Sequence, residues 1–267
     1  MCAFAGNSIL NRAGVAGDGM DPMMFAVVRV AAGAVTLALL VRLRGGTLPL
    51  IGGRRLGGAL SLTVYMLGFS WAYLTLGAGL GALILFGVVQ LVMFGWAVIR
   101  GQSVPVLRWL GASVAFAGLI LLLWPSGTVQ VPPAGAASMA LAGAAWAAYT
   151  LLGQGEAEPL AATAANFVIC LPFTSLALMA GWGGAITTQG VLIAVAAGAV
   201  TSGLGYALWY RVLPSLPTTI AAIAQLSVPV IAVAAGIVLL GEGVTLRLVM
   251  AGALVLGGIA VSLIRRG

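Results

Sequence analysis

The hydrophobic pattern of this chain is a succession of apolar runs of about 20 residues, the length a helix needs to cross a hydrocarbon layer of about 30 Å. Short turns rich in Gly, Pro and Arg separate them. The runs show no period-two alternation of the kind an outer-membrane barrel requires. The pattern predicts ten helices: one ending near residue 13, then 22–41, 56–76, 79–99, 106–124, 134–153, 160–182, 189–210, 215–240 and 246–264. Pro22, Pro105 and Pro133 near helix starts, and Gly77, Gly153 and Gly241 near helix ends, are the punctuation such helices use. About a dozen residues precede Arg12, too few for a full span, so helix 1 is expected to be truncated.

The polar positions then reveal a repeat. Residues 199–242 hold two apolar helices around a Pro-flanked elbow, with Tyr206, Trp209, Tyr210 and Gln225 set among small residues. Residues 63–102 share the same plan. Tyr65, Phe69 and Tyr73 stand four apart, as do Ser202, Tyr206 and Tyr210, and the two copies end in Gly101-Gln102 and Gly241-Glu242. Upstream, Phe4, Asn7 and Ser8 precede the acidic turn of Asp18 and Asp21; Trp146, Tyr149 and Thr150 precede that of Glu156 and Glu158. The chain thus divides into a first five-helix repeat (1–124), a connector (125–133) and a second five-helix repeat (134–267). Five is odd, so the second copy is expected upside down relative to the first. Inverted repeats of this sort place a solute site at their interface near mid-membrane.

Composition agrees with an all-α polytopic membrane protein. The chain is 62% hydrophobic and 6% charged, with mean hydropathy +1.16. The net charge of +7 is not a nucleic-acid signal, because the cations are dispersed arginines at helix ends. Arg42, Arg44, Arg54, Arg55, Arg100, Arg108, Arg211, Arg265 and Arg266 fall on one side of the predicted topology, and only Arg12 and Arg247 on the other. The positive-inside rule then puts both termini in the cytoplasm of a bacterial inner membrane. There is no His, and Cys2 and Cys170 both lie in apolar segments, so neither a metal site nor any other cofactor is indicated. An intramembrane enzyme would need a nucleophile with its base, a metal triad or paired carboxylates at membrane depth; none is present. The acids lie at loops or helix ends, which also leaves no ordinary proton relay.

Taken together, the five-plus-five helices, the elbows between helices 3 and 4 and between 8 and 9, Gly101-Gln102 with Gly241-Glu242, and Asp21-Pro22 followed by Arg29 resemble the EamA type of the drug/metabolite transporter superfamily. The resemblance covers essentially the whole chain. Within the superfamily it is most similar to YddG-type exporters of aromatic and other neutral amino acids. Two features depart from strict symmetry: helix 1 is short, and helix 4 is shorter than helix 9 between elbow and Gly-Gln. The resemblance implies an exporter, with a structural role for Arg29.

Candidate binding residues emerge from the cost of polar groups in hydrocarbon. Positions four apart share a helical face, and a buried phenol seeks a partner, so Tyr65, Phe69 and Tyr206 are expected to wall a cavity. Tyr73, Trp209 and Tyr210, near helix ends, are expected in the interfacial aromatic belt. Phe86 with Gln90, and Gln225 with Ser227, come from helices 4 and 9; the amides either bond solute or join helices, and the sequence leaves both open. Asn7 with Phe4, and Trp146 with Tyr149, recur in the two halves. Pro229 is expected to free a backbone carbonyl in helix 9, giving a kink or a polar contact point. Arg29 is the one charge well inside a span, and snorkelling to the interface is its cheapest expected state. Gly198 with Ser202 and Gly111 with Ala115 predict close helix packing.

These features predict an alternating-access carrier of small neutral amphiphiles; with what the resemblance implies, the expectation is an exporter, foremost of amino acids such as aromatic ones, Met and Thr. A broad drug or metabolite exporter is the alternative. The lipid bilayer is the expected partner, as a monomer or homodimer.

Overall fold

A computed structural model describes residues 1–17, 19–101, 105–124, 131–153, 156–179, 184–212 and 218–263, the side chains of Arg108, Leu123, Tyr210, 218–226 and 262–263 excepted. Among these residues the regular structure is helical, in ten rods. α1 is Cys2–Val15, α2 Pro22–Leu43, α3 Gly53–Ala72, α4 Ala78–Ile99 and α5 Val106–Leu123. α6 is Pro133–Gly153 and α7 Pro159–Met179. α8 runs through Thr188–Ala196, Ala197–Leu204 and Gly205–Val212; α9 is Thr218–Leu240 and α10 Leu246–Leu263. By length and composition, Pro22–Leu43, Ala78–Ile99, Pro133–Gly153, Pro159–Met179 and Thr188–Trp209 can each cross a membrane. Trp109–Leu122, Ser227–Leu240 and Leu246–Val261 are shorter apolar helices.

Local chemistry explains several boundaries. Asp21 caps α2, its Oδ1 accepting from the Met23 and Met24 N–H groups at 2.9 and 3.0 Å, with Pro22 as first helical residue. α3 starts and ends ahead of the expected 56–76. Hydropathy discounts Arg54 and Arg55, yet the Arg55 and Leu56 N–H groups already donate to the Gly52 carbonyl. Pro133, assigned to the connector by sequence, is the first residue of α6, where its missing N–H costs nothing. α9 ends at Gly241, whose φ of +64° lets the Glu242 N–H reach back to the Gly236 carbonyl at 3.1 Å. The expected end of helix 7 near residue 182 lies outside the described residues, as do Asp18, Gln102 and most of the connector.

The rods pack as one bundle. α3 packs on α6 and α7, α2 on α7 and α8, α4 on α6 and α9, and α1 on α8 and α9; α5 and α10 pair at one edge. Adding five to each label exchanges these pairings among themselves: α3 with α6 becomes α8 with α1, and α2 with α8 becomes α7 with α3. Large rings such as Phe25, Phe69 and Phe167 are buried, while Val35, Phe116, Leu192 and Val238 face outward. This is the distribution expected where lipid is the surrounding solvent.

Small residues set the closest approaches, as predicted. A Cβ at Gly198 would lie 2.2 Å from the Arg29 carbonyl oxygen on α2. One at Gly258 would lie 2.5 Å from both the Gly111 carbonyl oxygen and the Ala115 nitrogen, so α5 and α10 touch backbone to backbone. Around Gly198, residues 197–204 widen into a π turn. Such a turn inserts a residue into the helical repeat and re-aims the side chains beyond it. It sends Ser202 toward α2 and Tyr206 toward the bundle centre, so the four-residue spacing does not give these two side chains one common partner. Pro229 and Pro172 both stand inside continuous helices.

Candidate functional site

At the centre of the bundle lies a small cavity bounded by Phe4, Asn7 and Ser8 of α1, Tyr65 and Phe69 of α3, Leu85 and Phe86 of α4, Trp146 of α6 and Tyr206 of α8. Asn7, Tyr65, Phe69, Phe86, Trp146 and Tyr206 are sequence-predicted residues that the fold brings together. The aromatic rings form a continuous box: Tyr65 to Trp146 at 4.9 Å between centroids, Trp146 to Tyr206 at 5.2 Å, and Phe4 to Tyr206 at 5.6 Å. Its free space is about 10 Å³, room for about one water molecule. The box is closed in this conformation.

The other predicted residues lie elsewhere. Gln90 is half-buried and does not line the cavity. Tyr149 stacks against Trp146 at 5.6 Å but opens onto a separate cleft with Arg55, Glu156 and Asn166. Ser227 is half-buried and outside the lining, and the Gln225 side chain lies outside the described residues. Tyr73 is not in an interfacial belt. It is fully buried, with its hydroxyl donating to the Ala78 carbonyl at 3.3 Å and its ring edge-on to Phe69. The early end of α3 explains this, because it folds Tyr73 back under α4. Trp209 is half-buried against Phe4, and the Tyr210 side chain is not among those described. Leu85 joins the lining without any sequence signal, since an apolar residue on an apolar helix carries none.

Arg29 does not snorkel. Its residue is 0% exposed, held where α2, α3 and α8 meet. Its Nε donates to Ser202 Oγ at 3.0 Å and its Nη2 to the Tyr65 hydroxyl at 3.4 Å. The guanidinium carbon sits 5.2 Å from the Phe69 ring centre and 5.7 Å from that of Tyr65. Ser202 Oγ in turn donates to Asn7 Oδ1 at 3.2 Å, and Thr201 Oγ1 donates to the same oxygen at 2.6 Å. A hydrogen-bonded chain therefore links Arg29 to a residue of the cavity wall. At the same place α2 and α8 approach closely, Gly198 packing against the Arg29 backbone carbonyl.

Each end of the bundle is fastened by charges that link residues before the connector to residues after it. At one end Glu156 pairs with Arg55 and, at 3.7 Å, with Arg54, which also donates to the Leu152 carbonyl at 3.0 Å. At the other, the Glu242 carboxylate accepts from the Ala78 N–H at 2.7 Å and the Gly79 N–H at 3.4 Å, and lies 3.8 Å from Arg12. Arg12 also donates to the Tyr73 and Leu74 carbonyls. Arg54 and Arg55 open α3, whereas Tyr73 and Leu74 come after its last turn. A helix of that length spans about 30 Å, so the two fastenings stand on opposite sides of the cavity.

Comparison with known proteins places this architecture. Residues 133–264 match the EamA-like transporter family. The chain is 45% identical over 268 residues to a Pseudomonas aeruginosa protein described as Uncharacterized protein PA1977, covering 100% of this chain and 92% of that one. A protein of known crystal structure, 17% identical, superimposes with a TM-score of 0.68 over 98% of this chain and 94% of its own, a shared fold. The chain therefore belongs to one family with PA1977; its residues 133–264 are like those of EamA-like transporters, and its long apolar helices mark it as a multi-pass membrane protein.

Proposed function

We propose that the protein is an alternating-access exporter of small amphiphilic metabolites, foremost amino acids with aromatic or other largely apolar side chains. The observation that carries this reading is the closed aromatic box between the two halves, with a charged fastening at either end. Alternating access requires a site that is sealed from both sides in at least one state and opened to one side at a time. Two separate fastenings, each joining the halves, supply the parts to release in turn. The exchange of helix pairings under a shift of five supports an inverted repeat of 1–124 and 134–267, and the distribution of arginines supports cytoplasmic termini in an inner membrane. Rings offer apolar area at low entropic cost, and Asn7, Tyr65 and Tyr206 add polar handles, the usual make-up of a site for amphiphiles. With the acids confined to helix ends, the solute runs down its own gradient without proton coupling.

The test is uptake of labelled Phe, Met and Thr into proteoliposomes holding the purified full chain, with and without an imposed pH gradient. Saturable uptake that is indifferent to the pH gradient and lost in Trp146→Ala, with unchanged thermal unfolding, is the expected result. Uptake of all three no greater than in empty liposomes would overturn the amino-acid assignment. Uptake that collapses when the pH gradient is removed would overturn the uncoupled mechanism.

A further inference from the structure

Arg29 carries a buried positive charge that pairs with no carboxylate among the described residues. Among the described residues the carboxylates that form ion pairs are Glu156 and Glu242, and their partners are Arg54, Arg55 and Arg12 at the bundle ends. The neighbours of Arg29 are a serine hydroxyl, a phenol and two ring faces, all neutral. Among the described residues its Nη1 has no hydrogen-bond partner, and neither does the Tyr206 hydroxyl on the cavity wall. An unpaired charge at such depth is expensive, and a planar guanidinium with free N–H groups is the best-shaped receptor for a carboxylate. Charges in this position are retained for what passes by them.

We infer that the cavity recognises the carboxylate of its solute through Arg29, so that the solute class is apolar monocarboxylates, with or without an amino group. This rests on the transport reading above and sharpens it. Tyr65 and Phe69, the rings against which Arg29 stacks, are themselves cavity wall, so the cation lies one side chain behind the free space. The solute carboxylate takes the place of the long 3.4 Å bond between the Tyr65 hydroxyl and Nη2, and engages the free Nη1 beside it. Its apolar body lies among Phe86, Trp146 and Leu85. The resulting complex is electrically neutral at its core. Among the described residues no carboxylate lines the cavity, and Asn7 Oδ1 already accepts from Thr201 and Ser202, so an ammonium group gains nothing comparable. The site is thus built to hold the acid end of an amphiphile and is indifferent to, or penalised by, the amine.

The experiment is ligand binding to the full chain in lipid nanodiscs, monitored by tryptophan fluorescence, with 3-phenylpropionate, L-phenylalanine and phenethylamine as probes. The expected order is phenylpropionate at least as tight as phenylalanine, and phenethylamine at least about tenfold weaker. Arg29→Met should weaken phenylpropionate by about tenfold or more and leave phenethylamine unchanged; Arg29→Lys should recover part of the loss. Phenethylamine binding as tightly as phenylpropionate, or no binding of phenylpropionate, would overturn the inference. So would a folded Arg29→Met variant with unaltered phenylpropionate affinity. Should Arg29→Met not fold, the order of the three probes on the unaltered chain decides alone. Binding of the acid without flux in proteoliposomes would sink the transport reading while leaving this one standing. Flux of phenethylamine in preference to the acid would do the reverse.

Discussion

Glu242 is the residue whose perturbation the structure predicts most sharply. α4 begins at Ala78, and Gly77 before it has no side chain to cap the first turn. The cap comes instead from Glu242, just beyond α9, whose carboxylate accepts from the Ala78 and Gly79 N–H groups. Its slot exists because Gly77 and Gly236 lack side chains: a Cβ on either would lie within about 3.1 Å of the carboxylate. One good hydrogen bond to a charged acceptor contributes about 1.5–3 kcal/mol, and the 3.4 Å bond adds little. The positive end of the helix dipole adds about 0.3–1 kcal/mol, and the half-buried Arg12 pair at 3.8 Å about 0–1 kcal/mol. Glu242→Ala should therefore cost about 2–4 kcal/mol. Glu242→Gln keeps one acceptor oxygen but loses the charge, and should cost about 1–2 kcal/mol. At about 2–4 °C per kcal/mol, the Gln variant should unfold about 2–8 °C below the parent and the Ala variant further still. Thermal unfolding of all three proteins in the same detergent is the assay. An unchanged transition in Glu242→Ala would refute the cross-helix cap. Equal losses in Gln and Ala would move the effect from the hydrogen bond to the charge and its pairing with Arg12.

The other predictions concern helix contact and the opposite fastening. Gly198→Ala should lower folded yield and unfolding temperature, because its Cβ would press on the α2 backbone, whereas Gly257→Ala, with open space around it, should be neutral or slightly stabilising. Equal behaviour of the two, by size-exclusion profile and thermal unfolding, would count against backbone contact as the reason for Gly198. Glu156→Gln leaves Arg55 part-buried without its partner and should destabilise by about 1–3 kcal/mol, while Glu156→Gln with Arg55→Gln should restore part of the loss. Additive losses in that double variant would show that the two side chains are not coupled.

Much of the site is legible in the sequence, for a physical reason. In a membrane span a ring with a polar handle, an amide or a charge is costly unless it faces inward, so Asn7, Tyr65, Trp146 and Tyr206 advertise themselves against Leu, Val and Ala, while Phe69 is picked out by its spacing from Tyr65 and Phe86 by its place beside Gln90. They line the cavity together. Gln90 and Tyr149 satisfy the same criterion yet sit outside it, because facing inward does not specify which interior surface a residue meets. Tyr73 stands near a helix end and still leaves the interface; the turn after Ala72 carries it inward, and turn geometry is not written in hydropathy.

The sequence by itself determined the class of protein, the apolar helices and, within the described residues, most of their boundaries, because bilayer thickness and backbone hydrogen bonding dictate run length and punctuation. It determined which side chains are costly at depth and where the small residues sit. Tertiary structure alone decided what those residues meet. The π turn at 197–204 directs Ser202 to Arg29 and Tyr206 to the cavity, and bonds to Ser202 and Tyr65 hold the Arg29 side chain inside the bundle. The charged partners Arg55 with Glu156 and Arg12 with Glu242 are separated by 101 and 230 residues in sequence, distances across which no local pattern reaches. Periodicity fixes the face of one helix; only packing fixes which face it opposes, and the unpaired charge of Arg29 exists only in that second arrangement.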